Sequence, residues 1–366
     1  MVREPATAVR IPTMSIKNPQ RHPSRLRALL GIIWVLAAVA AAVLVLKSQS
    51  GELSGIGSVL SHLKEYYLLP SLLLECGSMA AYAQMIRSML KVGGVDSGFW
   101  RMSGIFLASN SITNSIPGGP AFASVYSYRR FRIIGASEGL AGWSIFASNV
   151  LAAFSLLLIA GVGLVVSEGN ASGVSLVGSI LIVTAIVLIA LIIVARPIAL
   201  MSVTVVVLRS LETRLAKSWN LTNKILELRE DISKISPSPA MLAKGFLWGL
   251  LNWVLDASVL VCAYLATGSP IPFEGLLIAY SAGQLAANFP ITPGGLGVVE
   301  GSISIALIAF GGNQQDAIAA VLLYRVFSFW MWLLPGFGCY AGFRMADVRH
   351  SRVSSESRKA KVGEAD

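Results

Sequence analysis

Charge is scarce in this chain. Only 13% of its 366 residues are Asp, Glu, Lys or Arg, about half the share of an ordinary soluble domain. Histidine is scarcer still. His22, His62 and His350 all lie outside the apolar runs, which excludes a histidine-based catalytic centre within those runs. The three cysteines, Cys76, Cys262 and Cys339, each fall inside an apolar run and form no CxxC pair. That excludes a disulfide framework, a redox dithiol and a zinc site, and neither metal nor cofactor is expected. Zinc-finger spacing and an aromatic-interleaved basic face are also lacking, so the formal net charge of +10 does not point to nucleic acid. The first 25 residues contain no apolar signal-peptide core, so the first apolar run is expected to be retained as a span.

What is plentiful is hydrophobic sequence. Apolar residues make up 55% of the chain and the mean hydropathy is +0.69. Runs such as Leu26 to Leu46 and Val174 to Ala195 are long enough to cross a hydrocarbon core of about 30 Å at about 1.5 Å per residue. Full spans are predicted at 26–46, 66–90, 137–167, 174–195, 242–266 and 313–342. Two further segments, 97–133 and 272–310, are moderately apolar. Each is broken midway, at Pro117-Gly118-Gly119 and at Pro293-Gly294-Gly295. Proline removes a backbone donor and paired glycines disfavour helix continuation. The halves are short for spans, and broken backbone at membrane depth must hide in protein or line a wet cavity. Both segments therefore read as re-entrant hairpins. The expected fold is an all-α membrane protein with six transmembrane helices and two re-entrant helical hairpins.

Basic residues orient it. If the hairpins are re-entrant, 26 of the 29 Lys and Arg residues fall on one side, with only Lys47 and Lys64 opposite and Arg325 inside a span. The positive-inside rule puts that side, with both termini, in the cytoplasm, and the chain in the cytoplasmic membrane. A cysteine placed at Ser269 should accordingly react with an impermeant label from outside the cell, and one at Ser218 only after permeabilisation. Outside labelling at Ser218 overturns this topology.

The chain also repeats itself. At an offset of 176, Gly118, Gly119 and Gly135 fall on Gly294, Gly295 and Gly311, and the span 66–90 falls on 242–266. The unit, span, span, broken hairpin, span, occurs at 26–167 and again at 174–342. Three full spans separate the hairpins, so the second unit is inverted. Inverted repeats with broken helices are a recurrent plan of secondary transporters, whose substrate sites lie at the repeat interface. Residues 196–240 join the repeats as an amphipathic surface segment. A cytoplasmic N-terminal tail covers 1–25, and a basic, Ser-rich tail, expected to be disordered, covers 343–366.

Polar residues within apolar sequence mark the candidate path. In the second hairpin these are Asn288, Pro293, Gly294, Gly295 and Glu300, with Arg325 in the following span. A helix starting after Gly295 would present free N–H groups and partial positive charge, suited to phosphate or carboxylate. An unpaired Glu300 or Arg325 at membrane depth costs about 2.5–3.5 kcal/mol on insertion scales. The two are therefore expected to pair or to share a hydrated cavity, serving as a head-group or coupling-proton site or as a structural ion pair. The first hairpin supplies Asn114, Pro117, Gly118 and Gly119, with Ser124 and Asn149 at the positions matching Glu300 and Arg325. Tyr128, Arg129, Arg130 and Arg132 follow, as a topology determinant or an attraction for phosphate head groups. Glu75 and Asp256 also lie within spans, as a proton relay or a structural pair.

The run Pro-Ile-Thr-Pro-Gly-Gly-Leu-Gly-Val-Val-Glu300, Arg325, and the earlier Asn114-Ser-Ile-Pro-Gly-Gly resemble the flippase-like membrane domain of lysylphosphatidylglycerol synthases, over roughly 26–342. The stretch Ala121 to Ser127 departs from the family in lacking an acidic residue. The resemblance implies movement of phospholipids or lipid-linked groups between leaflets, with membrane lipids as partners. The chain has no polar stretch of domain size to hold the synthases' soluble aminoacyl-transfer domain. Two other functions fit the sequence: an intramembrane transferase acting on a lipid-linked substrate, and a non-transporting partner of envelope-synthesis enzymes.

Overall fold

The computed structural model describes residues 62–167, 188–196, 231–288 and 292–363, with isolated positions at 59, 178 and 184–185. The expected span 26–46, most of 174–195 and most of the linker 196–240, including Ser218, lie outside the described residues.

The described residues form helices joined by short turns, with no strand among them. A 3-10 turn at Glu65–Tyr67 leads into α1 (Leu68–Val92), and a second lies at the break Pro293–Gly295. Helices α2 (Phe99–Ser115), α3 (Gly119–Ile133) and α4 (Glu138–Ser167) follow. The second half contains α5 (Pro239–Thr267), α6 (Phe273–Ala287), α7 (Val298–Ala309), α8 (Gln314–Arg325) and α9 (Met331–Gly363). One π-helical turn, Val326–Trp330, joins α8 to α9.

Local sequence sets these boundaries. Ser238 caps α5 by accepting the Met241 N–H at 3.3 Å, with Pro239 in the first turn, where its missing donor costs nothing. Asn313 caps α8 by accepting the N–H groups of Gln315 and Asp316. Three described helices are long and apolar enough to cross a bilayer: α4, α5 and the rod Gln314–Arg349. Helix α1 has 25 residues, ample length at about 1.5 Å per residue, but it is not among those three. It buries Ser71, Glu75 and Ser78 on one face and exposes Leu69 and Leu73 on another.

Both broken segments are helical pairs folded back on themselves. In the first, Ser109 Oγ meets Ser127 Oγ at 3.0 Å and the Ala123 carbonyl at 3.3 Å, so α2 and α3 run antiparallel about Gly118. In the second, Gly283 abuts Ile303 and Gly275 abuts Phe310, so α6 and α7 fold about Pro293. The equivalent residues Gly118 and Gly294 both take the left-handed conformation, at φ 68° and 58°, which only glycine adopts without penalty.

The packing carries the repeat. Helices α1 and α5, equivalent at the offset of 176, cross antiparallel: Lys64 N–H donates to the Ala266 carbonyl, Ser78 meets Asn252, and Met89 meets Gly245. Each hairpin then packs on the last helix of the other repeat. Gly336 of α9 closes on Ser111 and Leu107 of α2, while Gly163 of α4 closes on Leu277 and Ile278 of α6. These exchanged contacts are what a two-fold relation between inverted units produces. Two buried clusters, one around Tyr264, Tyr280 and Tyr324 and one around Met89, Phe131 and Trp143, fill the halves. Large apolar side chains remain on the outside, among them Leu69, Leu73, Leu164, Leu247, Ile305 and Leu334. Such a coat is normal against lipid and abnormal against water.

Helix α9 runs from Met331 to Gly363. Its middle is pinned to the first hairpin by Arg130, whose guanidinium makes two contacts with Asp347, at 3.0 and 2.9 Å.

Candidate functional site

A cavity of about 760 Å³ lies between the two hairpins and the crossing of α1 with α5. Its wall brings together most of the path residues expected from sequence: Asn114, Gly118, Gly119, Asn149, Asn288, Gly294 and Arg325, together with Glu75 and Asp256. Pro117, Pro293, Gly295 and Glu300 are not in that wall; they shape the tips behind it. The tips themselves touch. A Cβ built on Gly294 would stand 3.1 Å from the Asn114 carbonyl oxygen and 2.1 Å from the Phe329 ring.

Arg325 is the fixed positive charge of this cavity. It is 7% exposed, and three contacts hold it. Its Nε donates to Glu300 Oε1 at 2.7 Å, its Nη2 donates to the Gly294 carbonyl at 2.9 Å, and its guanidinium lies 4.2 Å over the Phe329 ring. No hydrogen bond occupies Nη1 among the described residues. The π turn starts at the residue after Arg325, and such turns frequently mark functional sites in otherwise α-helical segments. Glu300 is held in turn by the Gly297 N–H, which donates to Oε2 at 2.7 Å.

That last bond corrects one expectation. Three of the N–H groups after the second break, including that of Gly295, are already taken. Gly295 donates to the Thr292 carbonyl, Leu296 to the Pro293 carbonyl, and Gly297 to Glu300. The carboxylate attracted to the start of α7 is the protein's own, and the charge left to meet a ligand is Arg325. The first-half basic cluster also divides. Arg130 is buried between Tyr126 and Phe343 and paired with Asp347. Arg132 bonds the Ala136 carbonyl and lies 3.7 Å from Glu138. Arg129 is exposed and Tyr128 half-buried, and none of the four borders the cavity. As for the position equivalent to Arg325, Asn149 donates to the Ile145 carbonyl in its own helix, so the arginine of the second repeat has no charged counterpart at the matching place in the first.

Sequence reading missed the hydrogen-bond network around Asp256. Tyr280 Oη, Tyr324 Oη and Gln284 Nε2 all donate to Asp256 Oδ2, at 2.5, 2.9 and 3.1 Å, and Gln284 Nε2 also reaches Tyr324 Oη at 2.6 Å. Tyrosines in apolar helices read as packing or interface residues. Only the spacing of Tyr280 and Gln284, one helical turn apart and beside the second break, hinted at a shared polar face.

With the geometry in place, similarity to known proteins becomes informative. A model of the lysylphosphatidylglycerol synthase TM region matches residues 30–336. The chain belongs to this family. Within it, a UPF0104 membrane protein of Methanothermobacter thermautotrophicus is 30% identical over 107 residues, covering 28% of this chain and 32% of the relative. A UPF0104 membrane protein of Pyrococcus horikoshii is 27% identical over 116 residues, 32% of this chain and 35% of the relative. The chain thus spans about a third of the length of these two relatives. A further Methanothermobacter UPF0104 membrane protein is 21% identical over 313 residues, 82% of this chain and 91% of the relative. The lysylphosphatidylglycerol synthase TM region thus includes both hairpins, both breaks and every residue bordering the cavity, Arg325 among them.

Proposed function

We propose that the protein moves a phospholipid, or a lipid-linked group bearing phosphate, between the leaflets of the cytoplasmic membrane. The supporting observation is a polar cavity closed by two opposed hairpin tips, with a guanidinium in its wall and apolar side chains coating the outside. A lipid translocator needs a wet route for the head and a greasy surface for the tails, and this arrangement supplies both. On this reading the chain has six spans, the pairs α2–α3 and α6–α7 enter and leave the membrane on one side each, and both termini are cytoplasmic.

An anionic head group entering the cavity meets Arg325 through Nη1. It then competes with Glu300 for the rest of the guanidinium, since planar bidentate recognition of phosphate is what that group does best. Asn114, Asn149 and Asn288 provide neutral donors along the wall, which suit a group that must leave as readily as it arrives. Reconstitution tests this. Vesicles holding the purified protein and a fluorescent phosphatidylglycerol should lose inner-leaflet protection from an external quencher far faster than protein-free vesicles. Equal rates overturn the proposal, and a new covalent lipid product would favour the transferase reading instead.

A further inference from the structure

We propose that Glu75 and Asp256 form a binding site for a small monovalent cation, a proton or a sodium ion, whose occupancy governs the Arg325 site through Tyr324. This rests on the lipid-moving reading for its purpose, though not for its geometry.

The two carboxyl groups come from the middle of the antiparallel crossing of α1 and α5, and each is the other's neighbour. Glu75 is 1% exposed and Asp256 6%. Two acids this close and this dry repel one another and forfeit hydration, so an uncompensated pair is costly and a cation between them relieves both terms. The two carboxyl groups lie within hydrogen-bond reach of each other, so a proton shared between them is one occupant the place can hold, and the other donors leave it accessible. All three donors to Asp256 converge on Oδ2, and none of them bonds Oδ1. Glu75 Oε2 borders the cavity with no hydrogen-bond partner at all. A buried carboxylate oxygen without a partner is rare in folded proteins and calls for an occupant. Around the gap, Ser78 and Asn252 lie one turn from the acids on their own helices. Asn252 Nδ2 donates to Ser78 Oγ at 2.7 Å, which turns its amide oxygen away from that bond. Oxygen donors alone suit a hard ion.

The charged and titratable groups facing the pair are few. From α1 these are Cys76 and Tyr82, from α6 Tyr280, and from α8 Tyr324 and Arg325. Helix α4 contributes Ser148 and Asn149 to the same cavity but no ionisable side chain. Arg325 reaches Asp256 only through its charge at a distance and makes no hydrogen bond to either acid, because Glu300 and the Gly294 carbonyl hold it. The link to transport is short. Tyr324 hydrogen-bonds both Asp256 and Gln284, and its neighbour in sequence is Arg325. A cation drawn to the open oxygens takes charge away from Asp256, loosens its hold on Tyr324, and so alters how firmly Arg325 stays with Glu300.

Trp253 supplies a probe, since its ring meets Tyr280 edge-on at 6.3 Å. Tryptophan emission of the purified full chain is titrated with acid in sodium-free buffer, and with sodium chloride at fixed pH against potassium chloride. A saturable change is expected in one arm, and the arm identifies the cation. Trp253→Phe should remove the signal. Glu75→Gln and Asp256→Asn, which keep shape without charge, should remove the response. In vesicles, an imposed gradient of the same cation should change the rate of phosphatidylglycerol movement by at least about fivefold in the wild type and not in Glu75→Gln. Flat emission in both arms of the wild-type titration overturns the site whether or not the variants fold, and so does an unchanged response in both isosteric variants. Titration without any lipid movement would retain the cation site and sink the lipid reading. Lipid movement with flat emission would do the reverse.

Discussion

Arg325→Ala is expected to stop lipid movement in reconstituted vesicles while the protein still inserts and remains monodisperse. The guanidinium is the fixed positive charge facing the cavity, and nothing else there can meet a phosphate with a fork of donors. Truncating one partner of a buried, hydrogen-bonded charge pair costs about 2–5 kcal/mol. Spent on head-group binding, that is at least about thirtyfold. Arg325→Lys keeps the charge and loses the fork, so its rate should fall between those of alanine and wild type. Glu300→Gln removes the competing charge while leaving an oxygen to accept the Gly297 N–H, and it should still bind and carry the lipid. Full activity in Arg325→Ala would dispose of the mechanism. Loss of folded protein in both Arg325→Ala and Glu300→Gln would mean that the pair serves only to hold α7 against α8.

The tips should be equally intolerant, for a different reason. In Gly294→Ala the new methyl would lie 2.1 Å from Phe329 and 3.1 Å from the Asn114 carbonyl, on a backbone at φ 58°. Left-handed backbone costs a non-glycine residue about 1–3 kcal/mol, and overpacking adds about as much again. Phe329 cannot retreat without abandoning the guanidinium stacked on it. Gly119→Ala has no such strain but puts a methyl 2.1 Å from the Thr113 carbonyl oxygen, a backbone atom that moves only if α2 unwinds. Both variants should show a lower melting temperature in detergent and little or no transport. Gly118→Ala meets open space at φ 68° and should lose only the strain term. Gly142→Ala, on α4 with nothing near it, should match the wild type. Transport in Gly294→Ala at the wild-type rate would show that the tips need not meet as tightly as they do here.

These sites were unequally visible in the sequence. The two Pro-Gly-Gly breaks stood out because proline and glycine act on the local backbone, and local effects survive in one dimension. Their equivalence survived too, in the shared offset that carries Gly118 onto Gly294. The pairing of Glu300 with Arg325 followed from cost alone, since neither charge is tolerable in apolar sequence by itself. The fate of the N–H groups after the second break was not legible. It depended on Glu300 curling back to Gly297, and a helix start offers the same positive pole to an internal carboxylate as to a ligand. Nor could the network on Asp256 be read from spacing, because its donors sit 24, 28 and 68 residues away. For the same reason the four-residue basic cluster looked like one feature. Folding sends Arg130 inward to Asp347, 217 residues on, and leaves Arg129 outside.

The π turn after Arg325 has a consequence for how the last helix is read. A π turn carries one more residue than an α turn, so it acts as an insertion within the rod Gln314–Arg349. Each residue of an α-helix advances the face by about 100°, and the two halves of the rod are therefore out of phase by about that much. Arg325, the last residue before the turn, keeps the phase of the half that packs against α5, while Trp332 and Leu333 keep the phase that meets Ser111 of the first hairpin. A straight α-helix could satisfy only one of those partners. The extra residue lets a single helix answer to both repeats.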